Sequence, residues 1–375
     1  DVDLDWLREG EVITITFPIV ATDEFGAASA PVNYVVTITG SNDTPVITAA
    51  SLQNALPIQG EAAADSDDSS VNLLPVSGTI TVTDGDLGDG LTQVAQTAAV
   101  VTWSGGAIPT DTPGTPDGNN TDSVTNSITN LGLAGNLVLT PGATNGEESN
   151  MIWTYDAPAG VDLDWLKAGE TLTVTYQVQV VDNSGAANNT SNTFPVVITI
   201  TGQNDAPTAG AGVDVNPGAF TEALDASAQV LSDTGSFDVV DEDLGQTLTF
   251  TPAAGAAPVW SGGPVGSLLS PADLAEVIDP TNLSNFVANL NPANTTTGEV
   301  QVINYDFATT AVNLDGLDNG ETLTLNYNVT VSDGTSSYVQ PITITINGTD
   351  DNPIAVADTN SVSEDGPILV VPADG

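Results

Sequence analysis

Neither cysteine nor histidine occurs in the 375 residues, and only two side chains, Arg8 and Lys167, are basic. The first absence removes disulfides, thiolate or imidazole zinc sites, and Cys- or His-based catalysis. Any metal the chain holds must therefore be a hard one bound by oxygen. The second absence leaves 49 acidic residues almost without partners and a formal charge of -47. A compact chain so charged repels itself, and relief has to come from salt, protonation or bound cations. The chain also lacks the Lys/Arg footprint that phosphates and anionic bilayers require, which excludes nucleic acid as a partner and disfavours a membrane surface. No signal peptide is seen and no apolar run reaches membrane-spanning length, so direct membrane insertion is not expected.

What is plentiful is turn and strand material. Gly, Pro, Thr, Asn and Asp abound while aromatics make up 5% of the chain, a composition that favours short strands and predicts an all-β protein. Thr171, Thr173 and Thr175 alternate with Leu172, Val174 and Tyr176, the period of a half-buried antiparallel strand. Val196 to Thr201 alternates likewise, and Asp182 to Gly185 supplies turn chemistry between the two, predicting a hairpin. Helix is scarce, with Pro271 to Ile278 the best candidate because Pro comes early and Ala, Glu and Leu follow. Gly105 to Asp122 reads as a long loop.

Long repeats organise the chain. VDLDWLREGEVITITF…TITGSNDTP (Val2–Pro45) recurs as VDLDWLKAGETLTVTY…TITGQNDAP (Val161–Pro207) and, more loosely, as NLDGLDNGETLTLNY…TINGTDDNP (Asn313–Pro353). Equivalent glycines stand at Gly40, Gly202 and Gly348, roughly 150 residues apart, which suits whole domains and is too long for a solenoid unit. A second motif repeats between these copies: TDGDLGDGLT ending at Thr92 matches VDEDLGQTLT ending at Thr249, with WSGG following at Trp103 and Trp260. The expected division is the closing half of a repeat over 1–44, complete repeats over 45–204 and 205–350, and the start of another over 351–375, so the chain reads as an excerpt.

The pattern LDxL, GExLTxxYxVxVxDxxG and TITGxNDxP, with DxDxG after a strand, resembles cadherin-type domains and the VCBS repeats of large bacterial RTX-type adhesins. The resemblance covers nearly the whole chain, and ADTNSVSEDGP (Ala357–Pro367) resembles the first strand of a further cadherin-like module. It implies tandem immunoglobulin-like or cadherin-like antiparallel β-sandwiches in an elongated array, secreted to the bacterial cell surface, with calcium at the junctions between domains. Carried over residue by residue, the first junction would use Asp5, Asn42, Asp43, Asp84, Asp86 and Asp182. The central junction would use Glu61, Asp164, Asn204, Asp205, Asp241, Asp243 and Asp333. The last would use Glu222, Asp315, Asp350, Asp351 and Asn352. The chemistry agrees: calcium takes six to eight oxygens, and alternate residues of a turn such as Asp84 and Asp86 can converge on one ion. Trp6, Trp165 and Gly316 replace the family's acidic residue after LD, and Asp350 replaces its linker Asn, which removes or alters a ligand at each place.

The competing reading of these residues is Asx-turns on a solvated surface; recurrence at corresponding positions in each copy favours calcium. Asp89, whose counterpart is Gln246, is assigned to a surface turn. Trp6, Trp165, Trp103 and Trp260 are assigned to core rather than to sugar or ice contacts. Adjacent Glu147 and Glu148 diverge on a loop and make a poor acid and base pair, and no enzyme is expected. The leading function is an extender, whose partners are neighbouring repeats. The alternative is that segments Gly105–Asn150 or Pro264–Asn294 bind glycan or ice, or that copies join side by side into fibres.

Overall fold

The computed structural model describes residues 2–52, 75–106, 121–158, 161, 163–211, 216–224, 226–289, 293–296, 298 and 300–350. Strand accounts for 48% of the described residues and helix for 7%, and the sheets pack face to face as antiparallel β-sandwiches. The predicted hairpin forms: strand Thr171–Val178 pairs with Phe194–Thr201, Leu172 opposite Ile200 and Tyr176 opposite Val196. Their alternate residues Leu172, Val174, Tyr176, Val178, Val196, Ile198 and Ile200 are fully buried, while the Thr set faces outward.

Opposite this hairpin lies a four-stranded sheet in the order Val46–Leu52, Val76–Thr83, Glu148–Tyr155, Leu137–Leu139. Ile80, Val82, Met151, Trp153 and Tyr155 from that sheet join the hairpin's inner face in one core. A second core repeats the plan: Thr208–Ala209, Ser232–Val240, Gln301–Ala308 and Leu283–Ala288 face a sheet built on the eleven-residue strands Thr322–Ser332 and Ser337–Asn347. Among the described pairings the exception to antiparallel order is Phe220–Thr221, which runs parallel to the end of the latter.

The periodic glycines answer to close approach. A Cβ on Gly40, Gly202 or Gly348 would collide with a carbonyl of the preceding LDxL loop, at Leu7, Leu166 and Leu317 respectively. That loop is thereby pressed to the end of each domain, where the candidate site lies.

The expectation of a loop over Gly105–Asp122 needs correction in part. Asp122 belongs to a helix, Thr121–Leu131, that the polar sequence TDSVTNSITNL does not announce; it forms because Val124 and Leu131 are buried in the first core, tertiary packing outweighing poor propensity. Residues 107–120 of the expected loop lie outside the described residues. Gly105–Asn150 and Pro264–Asn294 are in large part integral to the sandwiches, supplying strands Leu137–Leu139, Gly142–Asn145 and Leu283–Ala288. The helix predicted at Pro271–Ile278 is present as Pro271–Val277, capped by Ser270, whose hydroxyl accepts the Asp273 N–H.

The tryptophans separate. Trp165 is 1% exposed and packs edge-on against Trp103, ring centroids 5.5 Å apart, as the core expectation requires, while Trp6 is 42% exposed beside a two-stranded sheet. The hairpin Val12–Ile19 with Val32–Thr39 has no facing sheet among the described residues, and its Phe17 and Tyr34 are exposed where Tyr176 and Val196 are covered. Trp103 and Trp260 are partly buried against the two cores, and their indole N–H groups donate to Glu170 and Glu321 at 2.9 Å. Trp165→Ala is expected to cost about 3–5 kcal/mol and Trp6→Ala no more than about 0.5 kcal/mol in urea-unfolding midpoints. Equal losses would refute this assignment.

Candidate metal centres at the domain junctions

At the first junction three chain segments meet. Asn42 and Asp43 follow strand Val32–Thr39, Asp84 and Asp86 follow Val76–Thr83, and Asp182 follows Val180–Val181. The Asp43 N–H donates to Asp86 Oδ2 at 2.8 Å, and the Asn42 side-chain amide donates to Asp182 Oδ2 at 3.4 Å. Asn188 returns a bond to the Asn42 carbonyl at 3.0 Å. The central junction reproduces this. The Asp205 N–H donates to Asp243 Oδ2 at 3.0 Å, and the Asn204 amide to Asp333 Oδ2 at 2.9 Å.

The Asx-turn reading is half right. Asp84 Oδ1 accepts the Asp86 N–H at 3.1 Å, Asp241 Oδ1 accepts the Asp243 N–H at 3.2 Å, and Asp182 Oδ1 accepts the Ser184 N–H at 2.9 Å. Solvation is where that reading fails: Asp86 and Asp243 are 0% exposed, and Asp84, Asp182 and Asp241 are buried. A turn uses one carboxylate oxygen. Asp84 Oδ2, Asp86 Oδ1 and Asn42 Oδ1 at the first junction, and Asp241 Oδ2 and Asp243 Oδ1 at the second, are buried with no donor.

Asp89 is a further correction. It is 3% exposed, not a surface turn residue, and its Oδ2 also lacks a donor. A register shift between Leu87 and Gly90 folds it inward, and its N–H donates to Thr144 Oγ1 at 2.8 Å while that hydroxyl bonds the Asp86 carbonyl. At the second junction Thr296 plays the same part for Gln246 and Asp243. Gln246, which sequence reasoning set aside, donates from its amide to Asn204 Oδ1 at 3.1 Å and to Asp243. Its neighbouring repeat position to Asp89 was the available signal.

Charge crowding follows from this burial. Burial pushes Asp84 up to about 7, and Asp86 and Asp182 nearby add to the rise. Burial lifts Asp241 and Asp243 to about 8 each, reinforced by Asp333 for the former and by Asp205 for the latter. Asp43, Asp86 and Asp89 are raised for the same first reason.

The remaining expected residues divide. Asp5 is exposed but close enough to raise Asp43, and Asp164 is half-buried beside Trp165. Glu222 is buried and accepts the Thr349 N–H at 3.2 Å. Asp315 and Asp350 are exposed, and Asp315 accepts the Ala226 N–H. Glu61, Asp351 and Asn352 lie outside the described residues.

Among the described residues no group of three or more Asp or Glu side chains is arranged to hold a metal ion. N–H groups from Asp43, Asn42, Asp205 and Asn204 hold part of the oxygen set. The donor set nevertheless fits a hard cation: buried oxygens without donors, several of them carboxylate, gather on the turns after Val76–Thr83 and Ser232–Val240, joined at the first junction by Asn42.

No protein-family model matches the chain. No curated protein sequence matches it either. Among solved structures it is similar to the CupB6 tip adhesin from Pseudomonas aeruginosa, at 11% identity over 82% of this chain and 99% of that one, TM-score 0.27. An I-band fragment of titin matches at 9% identity over 92% and 95%, TM-score 0.25. Drosophila N-cadherin EC1-4 matches at 13% identity over 93% and 60%, TM-score 0.21.

Proposed function

We propose that the chain is a set of calcium-rigidified spacer repeats of a large bacterial surface adhesin or filament protein, extracellular and without catalytic function. The observation that carries this reading is the recurrence, at two successive junctions, of buried carboxylate oxygens with no hydrogen-bond donor. A bound calcium ion would supply positive charge and oxygen coordination there. Asn42, Asp43, Asp84, Asp86, Asp89 and Asp182 would hold it at the first junction, and Asn204, Asp205, Asp241, Asp243 and Asp333 at the second. Because these residues come from both flanking domains, any bend would separate groups that share one charge. Without a counter-charge the same carboxylates repel at the hinge. Extracellular modules bind calcium at about 0.1–1 mM, a range that leaves such junctions stiff outside the cell. The sequence resemblance to VCBS and cadherin-like repeats supports the same function.

Small-angle scattering of the full chain tests it. Chelation is expected to shorten the maximum dimension and broaden the distance distribution, and about 1 mM calcium to restore both. Superimposable profiles with and without calcium would overturn the reading.

A further inference from the structure

The chain's two basic residues occupy the same place in successive repeats: Arg8 follows LDWL in the first copy and Lys167 follows it in the second. Each lies at a junction. Arg8 Nη1 is 3.8 Å from Asp89 Oδ1 and donates to the Gly88 carbonyl at 3.4 Å, both in the following domain. Its other nitrogens bond Glu11 Oε1 at 3.1 and 2.7 Å. Lys167 Nζ is 3.2 Å from Glu170 Oε1, and a Cβ placed on Gly245 of the following domain would lie 3.9 Å from it. Gly88 and Gly245 correspond, and both are left-handed, at φ 86° and 79°.

A backbone contact accompanies each cation. The Leu87 N–H donates to the Trp6 carbonyl at 3.2 Å, and the Leu244 N–H to the Trp165 carbonyl at 3.1 Å. These leucines follow directly on Asp86 and Asp243. The LDW loop is thus bonded to the same turn that carries the buried carboxylates.

We propose that Arg8 and Lys167 are built-in counter-charges which, with the Trp6 and Trp165 carbonyls, latch each domain onto the next with no bound ion. An exposed ion pair in water contributes little, but here the partner Asp89 is buried and lies in the field of Asp182, and Arg8 also feels Asp86. Removing the cation leaves those buried charges uncompensated. The second latch is the weaker: the ion pair of Lys167 is with Glu170 of its own repeat, and across the junction it lies beside the Gly245 turn, where Gln246 stands in place of Asp89. In the third copy the two positions are Gly316 and Asp318, so no such latch is available there. The first two junctions therefore keep part of their alignment in the absence of divalent cations.

The absence of cysteine makes spin labelling of the full chain direct. Labels at Thr14→Cys and Thr102→Cys span the first junction, and labels at Thr199→Cys and Thr251→Cys the second; all four sites are exposed strand positions. In chelator at low salt, Arg8→Gln is expected to widen the first distance distribution about twofold and Lys167→Gln to widen the second by less, while Lys167→Arg leaves it narrow. Raising salt to about 0.5 M should widen the unsubstituted protein part of the way toward them, since screening then acts within a few ångströms but reaches the buried Asp89 less than an exposed partner. This arm needs no substitution and so cannot be confused with misfolding. Equal widths for the unsubstituted and Gln proteins in chelator, or no response to salt, would overturn the latch. The calcium reading is tested separately, by whether added calcium narrows all of them.

Discussion

Asp241→Asn is expected to raise the melting temperature of the cation-free protein and to abolish most of the rise that calcium produces. The two effects have opposite signs because one carboxylate is unfavourable in one state and a ligand in the other. Without an ion, Asp241 is buried, its ordinary value of 3.8 is pushed to about 8, and Asp333 and Asp205 face it. Forcing such a group to ionise in place costs roughly 5 kcal/mol, which bounds from above what the isosteric amide relieves near neutral pH. With an ion, the amide keeps an oxygen but loses the charge, and ligand charge sets affinity in such sites. Calorimetry in chelator and in about 1 mM calcium reads both. If Asp241→Asn lowers stability equally in the two conditions, the residue is an ordinary structural aspartate and the junction is not a cation site.

Much of this site is readable from the sequence because a repeat makes it so. Asp84 with Asp86 and Asp241 with Asp243 stand out as alternating acids at corresponding places, and Asn42–Asp43 with Asn204–Asp205 recur after a strand whose period-two pattern is plain. The hairpin Thr171–Val178 with Phe194–Thr201 is legible for the same reason, since its buried set alternates without a break. What escapes depends on three-dimensional register. Asp89 looks like a turn residue until the shift between Leu87 and Gly90 and the Thr144 hydroxyl are known, because neither is local in sequence. Gln246 is invisible to a search for ligand acids, although its amide bonds the same cluster. Helix Thr121–Leu131 is hidden by Thr, Ser and Asn at positions where propensity argues against it. The edge-on contact that covers Trp165 comes from Trp103, sixty-odd residues away on a different strand, and its own motif does not reveal it.

Acidity should act on the cation-free protein in the direction opposite to ordinary acid denaturation. Asp84 at about 7 and Asp241 and Asp243 at about 8 all lie above the 3.8 of an unfolded chain. Between about pH 4 and 8 the folded state therefore binds more protons than the unfolded one, and linkage makes stability fall as pH rises, by up to about 1.4 kcal/mol per pH unit per group. The contribution is complete below the unfolded value and is lost as pH passes through 7 to 8. Calcium reverses the sign, because it binds the deprotonated carboxylates and competes with the protons, so stability in calcium rises with pH over the acid half of the same range. Urea midpoints between pH 5 and 8, with chelator and with calcium, should give slopes of opposite sign. General repulsion among 49 acidic residues would also slope downward in chelator, but replacing Asp241 and Asp243 with Asn removes only two of them. If that double variant keeps the full slope, the effect belongs to the whole surface and not to the junction; if it flattens the slope, a few buried side chains account for most of the pH response of the chain.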